Sequence, residues 1–152
     1  MERPGDVAAS TFKQGFNCAQ AVLSAFGERF EMSPERALKL AAGFGGGMGR
    51  QGLPCGAVTG AFMVLGLKAG ATRADDAQAK QRTQELVRAF SRKFTERHGS
   101  IGCRELIGGL DISGPEGFEQ AKKAGVFTEL CPGFVRDAAE IVDELISDPE
   151  TT

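Results

Sequence analysis

Leu53-Pro54-Cys55-Gly56-Ala57-Val58-Thr59-Gly60-Ala61-Phe62-Met63-Val64-Leu65-Gly66-Leu67 is the stretch that decides the fold. From Ala57 to Leu67 no residue is charged, and Thr59 is the only polar side chain. A helix apolar on every side must be covered on every side. A membrane span takes about 20 apolar residues, more than this run supplies. The stretch therefore predicts the central helix, at about 56–69, of an all-α fold: a compact bundle of five to seven helices. Cys55 stands at its entrance, where unpaired backbone N–H groups and the helix dipole favour a thiolate.

Upstream, a helical period over about Asp6 to Phe26 places Phe12, Phe16, Ala19, Leu23 and Phe26 on one arc, with Asp6 as N-cap. A stripe of small residues, Thr11, Gly15, Cys18, Val22 and Ala25, lies beside that arc. Cys18 is thus expected in mid-helix, on a face that another backbone can approach, while Asn17 and Gln20 take the far side. Gly27 is a natural stop. Ser33-Pro34-Glu35 opens a second helix, with Ser as N-cap and Pro at N1, running to about Ala42. The glycine-rich loop Gly43–Gly52 leads into the central helix.

Downstream, a long helix is expected from Arg73–Asp75 to His98, with Gly99 just past its end. Ile101–Ile107 reads as one or two turns with Cys103 at the start, and Phe118–Ala124 as a short helix. In the last helix Cys131 falls at the cap and Pro132 at N1. Its buried face is Phe134, Val135, Ala138, Ile141, Val142, Leu145 and Ile146. The tail after about 147 is expected to fray. No run of alternating β-branched residues competes with helix.

The length, 152 residues, fits one helical domain over 1–152. Eighteen basic against 20 acidic residues, a net charge of −2 and no basic run argue against a nucleic-acid surface. The N-terminus lacks the apolar core of a secretory signal, and no segment reaches membrane-spanning length. The expected compartment is the cytoplasm, where stable disulfides are uncommon. Four cysteines there read as metal ligands, redox thiols or inert core residues.

Those cysteines are separated by 37, 48 and 28 residues, with no CxxC pair. Local spacing therefore names neither a zinc finger nor a thioredoxin-type site. Position is more telling. Cys55, Cys103 and Cys131 each fall at a helix start, where a lowered thiol pKa is expected. Against this stands the habit of cysteine as a small buried hydrophobe. That plain reading weighs most for Cys18.

Four pieces of the chain carry a likeness: Gly15-Phe16-Asn17-Cys18-Ala19-Gln20-Ala21-Val22, Cys55-Gly56-Ala57-Val58-Thr59-Gly60, Gly99-Ser100-Ile101-Gly102-Cys103-Arg104-Glu105-Leu106 and Cys131-Pro132. Through them the chain resembles the C_GCAxxG_C_C family of redox-active proteins, from about Asp6 to Ile146. Pro54 departs from the pattern, standing where the family name has a glycine before the cysteine. The resemblance implies four family cysteines, carried onto Cys18, Cys55, Cys103 and Cys131, and a redox role often encoded near transporter genes. It implies no particular reaction.

Two other features carry lesser expectations. Gly47-Met48-Gly49-Arg50-Gln51-Gly52 matches G-x-G-x-x-G, but no strand precedes it and Pro54 interrupts before the next helix. It reads as a close-packed loop; a second, functional reading is that it brings backbone N–H groups beside Cys55 as an anion or sulfide nest, with Arg50 adding charge. His98, the single histidine, is expected to meet the last carbonyls of its helix. Its sharper role would be as a ligand or proton donor near Cys103.

The leading functional reading is a thiol protein in which the helix-start cysteines converge and Cys18 joins them. Either a dithiol and a disulfide interconvert, or the four thiolates hold a zinc ion or an iron–sulfur cluster. Both call for deprotonated thiols, with Cys55 the first nucleophile or ligand. A redox partner is implied, and a homodimer is compatible with the sequence. The competing class is a helical adaptor, linked to a transporter, whose cysteines only pack.

Overall fold

The computed structural model describes residues 2–151. The chain runs through α1 (Pro4–Lys13), α2 (Cys18–Phe26), α3 (Pro34–Ala41), α4 (Gly56–Ala69), α5 (Ala77–His98), α6 (Cys103–Leu106), α7 (Pro115–Lys123) and α8 (Cys131–Ser147). Seven of these helices have eight residues or more, and no strand forms among the described residues. The all-α bundle expected from the sequence is the observed fold.

The central helix is α4. Gly56 to Ala61 are all buried, as are Val64 and Leu65. Its polar side chain is satisfied within the helix: Thr59 Oγ1 donates to the Gly56 carbonyl at 3.2 Å. Burial is not complete to the end, however, and Leu67 is exposed. Helices α2, α5 and α8 all pack on α4, and α2 also packs on α8. The closest approach is to α2. A Cβ on Gly60 would stand 2.9 Å from the Ala19 carbonyl oxygen, and one on Gly56 3.0 Å from the Ala19 nitrogen. The small-residue face of α2 thus meets the glycine face of α4, backbone to backbone.

The expected single helix from Asp6 to Phe26 is two helices. Pro4 takes the first turn of α1, with Arg3 as N-cap in place of Asp6. The chain breaks at Gly15, whose φ is +113°. Asn17 then caps α2 through a capping box: its side chain accepts from the Gln20 N–H at 2.9 Å, and Gln20 Oε1 accepts from the Asn17 N–H at 2.9 Å. The same two side chains bind outward. Asn17 Nδ2 donates to the Ala42 carbonyl and Gln20 Nε2 to the Leu38 carbonyl, tying α2 to α3. Two consequences follow. Cys18 is the first residue of a helix, not a mid-helix residue, and Phe16 leaves the core to become exposed.

Other boundaries lie near expectation. Ser33 caps α3 by accepting from the Arg36 N–H, and Asp76 caps α5 by accepting from the Ala79 N–H. Gly99 closes α5 at φ +87°. Gly27 does not stop α2 in a left-handed turn but carries it into a 3-10 turn, Gly27–Phe30, at φ −53°. Five residues of π-helical turn, Val126–Leu130, lead straight into α8. Past Ser147 the backbone turns extended at Asp148 and makes a 3-10 turn, Pro149–Thr151.

Candidate functional site: a four-cysteine cavity

Each cysteine enters the site from a different element. Cys18 is the first residue of α2, Cys55 the N-cap of α4, Cys103 the first residue of α6 and Cys131 the first of α8. The starts of three mutually packed helices, α2, α4 and α8, meet at one end of the bundle. All four thiols line a single cavity of about 1020 Å³. All four are free and almost wholly buried, with exposures from 5% at Cys55 to 8% at Cys18 and Cys103. The thiols therefore form the floor of the cavity.

Two backbone devices hold the floor. Residues 52–55 and 101–104 form a short antiparallel clasp. The Cys55 N–H donates to the Ile101 carbonyl and the Cys103 N–H to the Leu53 carbonyl, both at 2.7 Å, and the Arg104 N–H donates to the Gly52 carbonyl at 3.2 Å. The second device is the glycine-rich loop. From Gly46 to Arg50, five consecutive residues have φ between 62° and 69°, one turn of left-handed helix. Gly47 is the residue that must lack a side chain. A Cβ there would fall 2.5 Å from the Leu53 nitrogen and 2.7 Å from the Cys103 Cβ. Met48 and Arg50 hold the left-handed conformation without being glycine, at a cost of about 1–2 kcal/mol each. Strain of this kind concentrates at functional sites.

The expected anion nest does not form from the N–H groups of residues 49–53. They turn inward to the carbonyls of Gly43, Gly45, Met48, Gly46 and Gly47. Arg50 lines the same cavity as Cys55, with its guanidinium over the Phe118 ring at 3.9 Å from the centroid. The loop is a packing device that shapes the cavity wall.

Protons are shared unevenly across the floor. The neighbouring Cys131 and Cys55 thiols, and then its burial, hold the Cys18 pKa well above the usual thiol value. Cys55 is shifted the other way. The neighbouring Cys18 thiol lowers its pKa most, opposed by burial and helped by the N–H groups of Ala57 and Val58. The Cys55 sulfur makes no close capping bond; it lies within longer reach of those two N–H groups at the mouth of α4. Burial pushes the Cys103 thiol up to about 12, with the charges of Cys55 and Cys131 adding to the rise. The sequence expectation of lowered pKa at every helix start is thus corrected. Desolvation and neighbouring sulfurs outweigh the helix ends at Cys18 and Cys103.

A tetrathiolate metal centre is the other arrangement these donors could serve. Four thiolates would have to close tetrahedrally on one ion or cluster. Among the described residues no three or more His, Cys, Asp or Glu side chains are so gathered. His98 plays neither expected role. Its Nε2 pairs with Asp137 Oδ2 at 2.8 Å, and its ring packs on Phe94 and on Phe134, behind the cavity wall and not in the lining itself. Sequence reasoning missed Asn17 and Gln20, although the spacing Asn17-x-x-Gln20 after a glycine is a capping-box signal. It also missed Lys13, Lys122 and Phe118 at the cavity, for which no local signal exists.

Among the described residues no helix is long and apolar enough to cross a membrane. A protein of Archaeoglobus fulgidus, named only "Uncharacterized protein", is 28% identical over 142 residues, covering 89% of this chain and 87% of its own length. No solved structure gives a significant match. The family model described as "Putative redox-active protein (C_GCAxxG_C_C)" matches residues 16–145, a span that holds all four cysteines of the cavity floor. The chain belongs to that C_GCAxxG_C_C family.

Proposed function

We propose that the protein is a dithiol redox protein in which Cys55 is the attacking thiolate and Cys18 the resolving thiol. The observation that carries this reading is the lining of one cavity by all four buried cysteines, brought there from four separate helix starts. Cys55 has the lowered pKa and the helix-end N–H groups that a nucleophile needs. Cys18 keeps its proton and donates to the Cys55 sulfur. Once Cys55 forms a mixed disulfide, that anionic acceptor is gone and the Cys18 proton is held less tightly. Cys18 then attacks the Cys55 sulfur, giving a Cys18–Cys55 disulfide and releasing the second thiol product. Cys131, in the same cavity, then takes over the bond to Cys18 by exchange. Cys103, its thiol pushed up to about 12 by burial, takes no part in the first exchange.

The test is a count of free thiols on anaerobically purified protein before and after mild oxidant. Two thiols lost per chain, and recovered with reductant, are expected for the wild type and for Cys103→Ser. Cys55→Ser and Cys18→Ser should lose the reversible pair. Bound zinc or iron in stoichiometric amount would replace this reading with a metal centre. Four unreactive thiols without metal would leave a helical adaptor whose cysteines only pack.

A further inference from the structure

The cavity is far larger than a thiol exchange between two cysteines requires. About 1020 Å³ is at the upper end of the range for small organic ligands. Its charge is one-sided. Lys13 from the end of α1, Arg50 from the left-handed turn and Lys122 from α7 line it, and not one aspartate or glutamate does. This occurs in a chain with more acidic than basic residues. None of the three cations has a carboxylate partner among the described residues. Two of them gather at one wall, with Arg50 3.9 Å and Lys122 5.9 Å from the centroid of Phe118. The three cations are exposed while the cysteines are buried, so positive charge rings the mouth and sulfur forms the floor. Between them the walls are apolar, with Phe12, Phe16 and Phe127 among the lining residues.

We infer that the cavity takes a small organic anion with an apolar body, and that such a molecule, carrying a disulfide, is the substrate class of the cysteine floor. The binding claim stands on the charge and shape of the cavity; the disulfide rests on the dithiol reading above. In the step itself, the Cys55 thiolate attacks one substrate sulfur, and the substrate S–S bond breaks. One thiolate product leaves as a Cys55–substrate disulfide forms. Cys18 then loses its proton to a product thiolate and displaces the second product from Cys55. The substrate gains two electrons: one product leaves as a thiol carrying the Cys18 proton, the other leaves as a thiolate that takes its proton from water, and the Cys18–Cys55 pair is oxidised.

Two measurements test this on the full-length reduced protein. The first is calorimetric binding of unreactive probes of one shape, naphthalene-2-sulfonate and 2-naphthylmethylammonium. The second is the rate of thiol reaction with the dianionic disulfide 5,5′-dithiobis(2-nitrobenzoate) and the neutral 4,4′-dithiodipyridine, each normalised to the rate with a small free thiol. The comparison is with Lys13→Gln, Arg50→Gly and Lys122→Gln combined, all exposed positions. Preference for the anion by about tenfold or more is expected in the wild type at low salt, the scale of charge focusing in a cleft. It should shrink to about threefold or less in the triple variant and in high salt, on the same electrostatic argument, with the neutral disulfide unaffected. Equal affinity for the two naphthalene probes, or a preference unchanged in the variant, would overturn the inference. Sulfonate binding lost in the variant supports the cavity even if the thiols prove inert, in which case only the redox reading falls.

Discussion

Cys55 and Cys103 show how differently two buried thiols of one cavity behave. Both lie at helix starts, yet one is drawn toward its anion and the other is pushed up to about 12. An alkylation time course near pH 7.5, read by mass spectrometry, should find Cys55 modified first and Cys18 and Cys103 last. Cys55 as the slowest of the four would refute the assignment of the nucleophile. The same shifts fix how stability depends on pH. An unfolded thiol ionises near pH 8.5. A folded thiol with a raised pKa, as at Cys18 and Cys103, contributes stability that is full below that pH and lost as pH rises toward the folded value. Cys55, lowered on folding, contributes above its unfolded value and loses that contribution as pH falls through its folded pKa. The urea midpoint should therefore decline above about pH 8.5, and Cys103→Ala should flatten the decline. A midpoint that rises over that range would contradict the burial of the protonated thiols. At this scale the place of Cys55 was legible, because a proline-cysteine-glycine step before an uncharged run marks a helix entrance. The opposite shifts of Cys18 and Cys103 were not, because burial and sulfur neighbours arise only when distant segments meet.

Among the elements, the junction of α1 with α2 carries the most consequence. Gly15 and the Asn17–Gln20 capping box turn one expected helix into two and bring Cys18 to a helix start. The apolar arc over residues 12–26 keeps its helical period through the break, which is why periodicity alone overran it. Asn17→Ala removes the cap and the bond to the Ala42 carbonyl, and should cost about 1 kcal/mol. It should also slow formation of the oxidised pair, since Cys18 follows the cap directly. Unchanged urea stability would show that the cap is not what sets the α2 start. The contact of α2 with α4 is less forgiving. Gly60→Ala places a methyl group 2.9 Å from the Ala19 carbonyl oxygen, which is backbone and cannot swing aside. The expected loss is about 1–3 kcal/mol, as for other overpacked cores, read from denaturant melts. The central helix itself was plain in the sequence, since an uncharged run too short for a membrane has no other home. The left-handed turn at Gly46–Arg50 was not, because Met48 and Arg50 carry no local preference for it.

Taken whole, the molecule places its chemistry where three packed helices begin. Segments as far apart in the chain as Cys18 and Cys131 meet through contacts of α2, α4 and α8. Such convergence raises the effective concentration of one thiol at another far above that of free thiols in solution. The family likeness named the four cysteines, and the fold brings them to one cavity; the proposed exchange orders them, with Cys18 between Cys55 and Cys131. That order is the central claim, and the most direct measurement of it is the disulfide map of the wild-type protein after stoichiometric oxidation, by peptide mass spectrometry without reduction. An intrachain Cys18–Cys55 linkage, with Cys18–Cys131 as its exchange product and Cys103 still free, is the predicted result. A Cys103 linkage as the first product, or cross-links only between chains, would contradict it.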